Sequence, residues 1–310
     1  MSVKEQPLVS IGIPTYNRPQ GLRRALESVI KQTYQNLEII VSDNCSAETE
    51  TEGRTETEMI VREFMEQDER IQYVRQEENI GLFYNKKFLF EVSHGEYFTW
   101  LCDDDERSPE YIEVCMEEFD KPEVSSKLLL VNSFSELKDP VQGKVLAVDQ
   151  GCTTVGLPVS QRYQNYISSI YKEQAAVGDL IYGVIKSEAI KKAMAVQPNF
   201  IPWDHIFLAQ LALDGEFYTI PQRLMSSAPG GLSNLTGMSK KEKRQKKIKS
   251  QGIEDFLAIN KPGWVHIICL RGKIWNSVDL SLLGKLQLIA WSDWYYFKFY
   301  FLNKIQKLLD

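Results

Sequence analysis

Short apolar runs alternate with amphipathic stretches over the first 130 residues, and this alternation limits the fold more than any other feature of the chain. Leu8–Ile13 is an apolar run stopped by Pro14, and Leu22, Ala25, Leu26, Val29 and Ile30 then repeat at helical spacing. Leu37–Val41 reads as a second strand. An acidic, Thr-rich stretch, Glu48–Glu58, leads as a loop into a helix over Met59–Met65. Ile71–Val74 is a short third strand, Gly81–Val92 a helix, Tyr97–Leu101 a fourth strand and Lys127–Val131 a fifth. Strands alternating with helices predict βαβ units and an α/β fold with a mostly parallel sheet flanked by helices. In such sheets ligands bind beyond the carboxyl ends of the strands, where Pro14-Thr15, Asp43-Asn44 and Asp103-Asp104-Asp105 all fall.

The Asp103–Asp105 triplet follows the aromatic run Tyr97–Cys102 and precedes Pro109, which opens a helix over Tyr111–Phe119. Three adjacent carboxylates repel one another, and a divalent cation removes that cost. Hard oxygen donors suit Mg²⁺ or Mn²⁺, with substrate phosphates completing the shell. Taken alone, the triplet fits a solvated acidic turn equally well, because Asp is common in turns and at helix starts. Its place at a strand end with the other two motifs favours the metal–diphosphate reading.

Composition removes other classes. Hydrophobic residues make up 43% and charged residues 25% of 310, which argues against disorder. A net charge of -6 argues against a general nucleic-acid binder. The five Cys are scattered without a C-x-x-C pair, as in reduced thiols, and the three His are too dispersed for a zinc site. The polar N-terminus lacks a signal peptide and no run is long and apolar enough to span a bilayer, so the expected location is cytoplasmic.

The order of these motifs resembles the inverting family 2 glycosyltransferases, which have the GT-A (Rossmann-like) fold. The resemblance is carried by Val9–Arg18, Ser28–Tyr34, Glu38–Ser46, Asn79-Ile80-Gly81 with Asn85, and Gly95-Glu96-Tyr97 running into the triplet. It is close over residues 7–120 and loose to about 225. It implies a nucleotide-sugar donor, usually UDP-linked, and a hydroxyl acceptor on a glycan or lipid-linked glycan. Pro14, Thr15 and Tyr16 would line the nucleotide pocket, and Asp43 would accept from the base imide; the competing role for Asp43 is a turn or helix cap. Asn79 and Gly81 would shape the wall near ribose and phosphates, although Gly81 also suits a plain turn. Asn85 is either part of that wall or a polar helix residue. Asp103 would approach the ribose or sugar, Asp104 would touch the nucleotide or the metal, and Asp105 the metal. The family pattern is Asp-x-Asp, and the extra Asp here leaves that division open.

The resemblance places the catalytic base at the start of a helix in the second half, and Asp204 in Trp203-Asp204-His205 is the matching position. The Glu that usually precedes it is absent. An ordinary N-cap is the competing role for Asp204, and His205 is an alternative proton acceptor. Gly178–Ile185 reads as a strand under the acceptor, with Asp179 either touching the acceptor or capping a turn, the cap being favoured. A catalytically silent nucleotide-sugar-binding subunit is the alternative to an enzyme. A nucleotidyltransferase is disfavoured, because no Gly-rich, Lys-containing phosphate loop follows the first strand.

The expected organisation is a catalytic domain over 1–225, with a donor half at 1–120 and an acceptor half at 121–225. A loop and basic segment, 226–250, would follow, then a helical, aromatic-rich extension over 251–310. The Gly-containing stretch Ser226–Ser239 is either a closing loop or a plain connection. The basic run Lys240–Lys249 and the aromatic run Trp291–Phe301 fit a peripheral membrane contact. The same aromatics, with Trp294, Phe297, Phe301, Ile305 and Leu308 on one stripe, fit packing on the catalytic domain or on a second copy in a homo-oligomer somewhat better.

Overall fold

The computed structural model describes residues 6–47, 53–121, 126–139, 142–170, 177–195, 199, 202–227 and 262–309. The Ser226–Ser239 loop beyond residue 227 and the basic run 240–249 lie outside the described residues.

The donor half is built on β1 (Val9–Thr15), α1 (Pro19–Ile30), β2 (Leu37–Asp43), α2 (Glu56–Met65), β3 (Ile71–Arg75), α3 (Leu82–Glu91) and β4 (Tyr97–Trp100). β1 pairs in parallel with both β2 and β4, and β2 with β3. Every residue of β1 and β2 is buried, as expected of parallel strands covered on both faces. Their side chains alternate between two cores: Ile39 and Val41 enter the cluster under α1 and α2, and Ile40 enters the cluster under α3. α1 turns Leu22, Ala25, Leu26 and Val29 onto the first cluster, with Pro19 preorganising its first turn. The register aligns Thr15 with Asp43 at the carboxyl ends of β1 and β2, and Leu101 donates its N–H to Gly12 just beyond β4. The sheet therefore delivers Thr15, Asp43 and Asp103 to one edge.

The second half adds β5 (Asp105–Arg107), α4 (Tyr111–Asp120), β6 (Leu128–Lys138), β7 (Val145–Asp149), α5 (Val159–Ile170), a 3-10 turn (Val177–Tyr182), β8 (Val184–Lys186), α6 (Ser187–Met194), α7 (Trp203–Asp214) and β9 (Glu216–Ser227). Among the described residues the sheet has nine strands in the order β3-β2-β1-β4-β8-β6-β9-β5, with β7 on β6. The parallel expectation holds for the first four strands and for β6 with β9. β8, β7 and β5 pair antiparallel, so the sheet as a whole is mixed.

Two elements differ from expectation. The strand predicted over Gly178–Ile185 is the 3-10 turn followed by three-residue β8, because the Tyr182 carbonyl accepts from Thr99 Oγ1, Arg107 Nη2 and Tyr111 Oη instead of entering a ladder. β5 was not foreseen: Asp105, Glu106 and Arg107 carry no apolar alternation, and only their pairing with Met225–Ser227 makes them a strand.

α7 is apolar all round and lies buried from Ile206 to Leu213. The buried Arg162 of α5 donates to the terminal carbonyls of α7 at Ala212 (3.1 Å) and Leu213 (3.0 Å), which suits a cation at a helix C-terminus. Two further helices follow, α8 (Pro262–Asn276) and α9 (Leu282–Leu309). α9 packs through Leu288, Trp291 and Tyr295 on the core, and Ser292 meets the Tyr163 hydroxyl at 3.1 Å. Trp294 and Phe297, on the stripe read as either a packing or a membrane face, are exposed in the single chain, and the side chains of Phe301, Ile305 and Leu308 lie outside the described residues. Among the described residues no helix is long and apolar enough to cross a membrane.

Candidate active site

Asp103 is the centre of the candidate site. Thr15 Oγ1 donates to its Oδ2 at 2.9 Å, and Arg18 Nη1 reaches its Oδ1 at 3.4 Å. Burial pushes the Asp103 carboxyl up to about 6, with Arg18 opposing and Asp104 adding to the shift. Arg18 Nη1 also donates to Asp104 Oδ2 at 2.6 Å. Burial alone would lower the Arg18 guanidinium, but Asp103 and Asp104 raise it above its ordinary value. α1 approaches this turn through Gly21. A Cβ there would sit 2.4 Å from the Asp103 carbonyl oxygen, so only glycine allows the contact.

Asp105 is the most unusual group. It is buried, and among the described residues no cation lies within ion-pair distance of it. Burial, with Asp104 and Asp179 nearby, holds its carboxyl well above the ordinary range. Burial likewise raises Asp179, whose carboxylate accepts from Ser135 Oγ, and it lifts Asp149 to about 6. The interior behind the triplet is thus strongly acidic.

Cys102, Asp104 and Asp105 offer ligand atoms within 4.8 Å of one another. The carboxylates suit a hard divalent ion, and an orphaned buried carboxylate is the feature such an ion would relieve. The Cys102 thiol does not suit it. Burial pushes its pKa up, and Sγ is engaged with the Tyr182 hydroxyl at 2.8 Å. The residues therefore fit Mg²⁺ or Mn²⁺ on Asp104 and Asp105, with Cys102 as a neighbour.

The remaining predicted residues lie about the carboxyl ends of β1 and β2 and the loop before α3. Pro14 and Thr15 are buried at the end of β1, and Tyr16 is exposed. Asp43 is fully buried; Ser46 N–H donates to Oδ1 and the Tyr73 hydroxyl to Oδ2, both at 2.9 Å. Arg75 Nε also lies 3.7 Å from Oδ2, which leaves Oδ1 as the less committed oxygen for a further donor. Asn79 Oδ1 accepts from Asn44 Nδ2 and from Gly81 N–H, closing the loop in front of α3. Gly81 has φ 82°, a left-handed backbone that favours glycine. Asn85 is committed elsewhere: its amide accepts from Ser42 Oγ at 2.6 Å and donates to the Ser42 carbonyl at 3.0 Å, pinning α3 to β2.

Asp204 lies in the first turn of α7, after Pro202 at the N-cap, so it is not the cap residue. Among the described residues its Oδ1 accepts from the adjacent His205 N–H, at 3.1 Å. His205 is poorly suited to accept a substrate proton. Burial lowers its pKa, and its ring lies 5.9 Å from that of His266 in the packed interior. The neighbouring Trp203 packs on Phe83 and lies under the Lys86 ammonium. Lys86 in turn contacts the Tyr182 hydroxyl at 3.3 Å, which meets Cys102. A continuous run of contacts thus links the start of α7 to the triplet. Sequence reasoning assigned no role to Arg18, Gly21, Lys86 or Tyr182. Single residues in loops, turns and helices carry no pattern, and only the fold brings them to the acids.

Residues 10–142 match the sequence profile of Glycosyl transferase family 2. Over that stretch the chain is similar to the family 2 glycosyltransferases, and its overall fold is that of GT-A proteins. WcaA of Escherichia coli K12, a glycosyl transferase assigned to colanic acid biosynthesis, is 36% identical over 112 residues, which cover 36% of this chain and 38% of WcaA. A Campylobacter jejuni relative, the GalNAc(5)-diNAcBac-PP-undecaprenol beta-1,3-glucosyltransferase, is 36% identical over 101 residues, 32% of this chain and 30% of that protein. The match thus spans less than half of either relative. The crystal structure of residues 1–349 of Staphylococcus aureus TarS with UDP-GlcNAc superposes with a TM-score of 0.64 at 16% identity, covering 94% of this chain and 73% of that one. The matched stretch holds every predicted donor-side residue, whereas Asp204 lies beyond it.

Proposed function

We propose that the chain is an inverting glycosyltransferase that moves a sugar from a nucleotide-linked donor, UDP first, to a hydroxyl on a glycan or lipid-linked glycan. The observation that carries this reading is Asp105: a buried carboxylate without a cation, beside Asp104, at the strand ends of the stretch similar to family 2. TarS crystallised with UDP-GlcNAc supports the donor class, and the Campylobacter relative, named for an undecaprenol-linked acceptor, supports the acceptor class.

Asp104 and Asp105 would hold Mg²⁺ or Mn²⁺, which when bound supplies positive charge against the developing charge of the departing diphosphate. Asp43 accepts from the base through its less committed oxygen. Thr15, Tyr16 and Asp103 orient the ribose and sugar, with Asn79 and Gly81 fixing the loop beside them. Asp204 accepts the proton of the acceptor hydroxyl. As its oxygen bonds to the anomeric carbon, the bond from that carbon to the diphosphate oxygen breaks, and the diphosphate leaves with the electron pair. A single displacement inverts configuration, so an α-linked donor gives a β-linked product.

A thermal-shift screen of UDP-, GDP- and dTDP-sugars with Mn²⁺ identifies the donor, because ligand binding raises apparent stability by mass action. Asp204→Asn should lower turnover by about 10²–10⁴-fold with donor affinity unchanged. Retained anomeric configuration by NMR, or full turnover in the variant, would contradict the mechanism. A wild type that binds donor without transferring or hydrolysing it would mark a silent binding subunit.

A further inference from the structure

Asp104 belongs to two arrangements that cannot both be complete. Its Oδ2 accepts Arg18 Nη1 at 2.6 Å, a short charge-assisted bond. The same carboxylate lies with Asp105 in the one group of potential metal ligands found among the described residues. A cation arriving at Asp104 and Asp105 repels the guanidinium and competes for its acceptor. Arg18 is free to move. Its side chain is 35% exposed, it precedes Pro19 at the start of α1, and its other contact, to Asp103 Oδ1, is long at 3.4 Å. Asp105 has no such substitute, because neither Arg18 nor Lys86 pairs with it.

We propose that Arg18 is an exchange cation of the donor site. Without ligand it neutralises Asp104. When a metal–nucleoside diphosphate complex binds, Asp104 turns to the metal and the guanidinium transfers to a diphosphate oxygen. A planar guanidinium fits both partners, carboxylate and phosphate, in the same hydrogen-bonding geometry. The exchange keeps a positive charge beside the acids in both states. It also makes metal alone a poor ligand: the ion must displace Arg18 without offering it a new anion. Metal and diphosphate should therefore bind cooperatively, each removing part of the cost that the other meets. The inference rests on the donor-site reading given above and adds a binding residue to it.

The test is calorimetry on the full chain with Mn²⁺ alone, and with whichever of UDP, GDP and dTDP the wild type binds best, in saturating Mn²⁺. Arg18→Met removes the charge and keeps the unbranched apolar stem of the side chain. It should tighten Mn²⁺ alone by roughly three- to five-fold, the scale of a partly exposed ion pair. It should weaken the nucleoside diphosphate by at least about tenfold, the scale of a lost charged hydrogen bond. Arg18→Lys should retain most of the competition with Mn²⁺ and part of the diphosphate affinity. The opposite signs of the two effects are the signature, since misfolding would weaken both, and unchanged melting temperatures confirm that the variants fold. Unchanged or weaker Mn²⁺ binding in Arg18→Met overturns the competition. Tighter Mn²⁺ with unchanged diphosphate affinity overturns the transfer. Failure of the donor reading itself appears in the wild type, which would then bind none of the three diphosphates with Mn²⁺, and the proposal falls with it.

Discussion

Asp103→Asn should make the metal-free protein more stable while weakening donor binding. In the folded chain burial moves the Asp103 carboxyl from its ordinary 3.8 up to about 6. A raised folded pKa means that the stabilising contribution is fully present below about pH 3.8 and is lost as pH rises through about 6. At pH 7.5 the buried charge then costs about 3 kcal/mol relative to the unfolded chain. Asn removes the charge but keeps a single oxygen, so it can accept from Thr15 at the Oδ2 position while losing the long Arg18 contact made at Oδ1. The net gain should be about 1–2 kcal/mol, or roughly 2–5 °C in Tm for a chain of this size. Melting curves in EDTA at pH 4.5 and 7.5 read the effect, with the gain confined to the higher pH. A variant that melts below wild type at pH 7.5, or gains equally at both pH values, would refute the electrostatic account of this turn.

Three further outcomes are expected. Gly21→Ala should cost about 1–3 kcal/mol, because its methyl meets the Asp103 carbonyl at 2.4 Å and α1 must retreat from the triplet; denaturant melts and Mn²⁺ affinity should fall together. His266 is held near 3 by burial, with His205 adding to the shift, so it is neutral in the fold and protonates below about 6.5 only when unfolded. His266→Gln should therefore blunt the loss of stability between pH 6.5 and 5, by about 2 kcal/mol at pH 5, as read from urea midpoints. Leu288→Ala should destabilise the chain by about 2–5 kcal/mol, since Leu288 on α9 is 2% exposed against the core; a change below about 0.5 kcal/mol would mean that α9 does not dock.

Much of the donor half was legible in the sequence because its strands are apolar on both faces and its helices carry clear i, i+3, i+4 patterns. Leu22, Ala25, Leu26 and Val29 were read as one face and are buried as one. The convergence of Thr15, Asp43 and the triplet followed from strand order alone, and the register places all three at one edge. The second half was harder. β6 runs on to Lys138, past the predicted end at Val131, through Asn132, Ser133, Ser135 and Glu136. Polar residues conceal a strand that is held by two neighbours. On α9 aromatics occur on every face, so the sequence does not show that Trp291 rather than Trp294 docks on the core. The internal chemistry of the site, with Arg18 on Asp104 and the acidic interior of Asp105, Asp149 and Asp179, is set by contacts between distant segments and leaves no local pattern.

The central claim is that the Asp104–Asp105 pair holds a divalent ion with a nucleoside diphosphate. Titration of UDP into wild type and into the Asp104→Asn/Asp105→Asn double variant, each with Mn²⁺ and with EDTA, tests it directly. The account predicts Mn²⁺-dependent binding in the wild type, its loss in a double variant that remains folded, and little binding by either protein in EDTA. Equal affinity of the double variant for UDP in the presence of Mn²⁺ would contradict it.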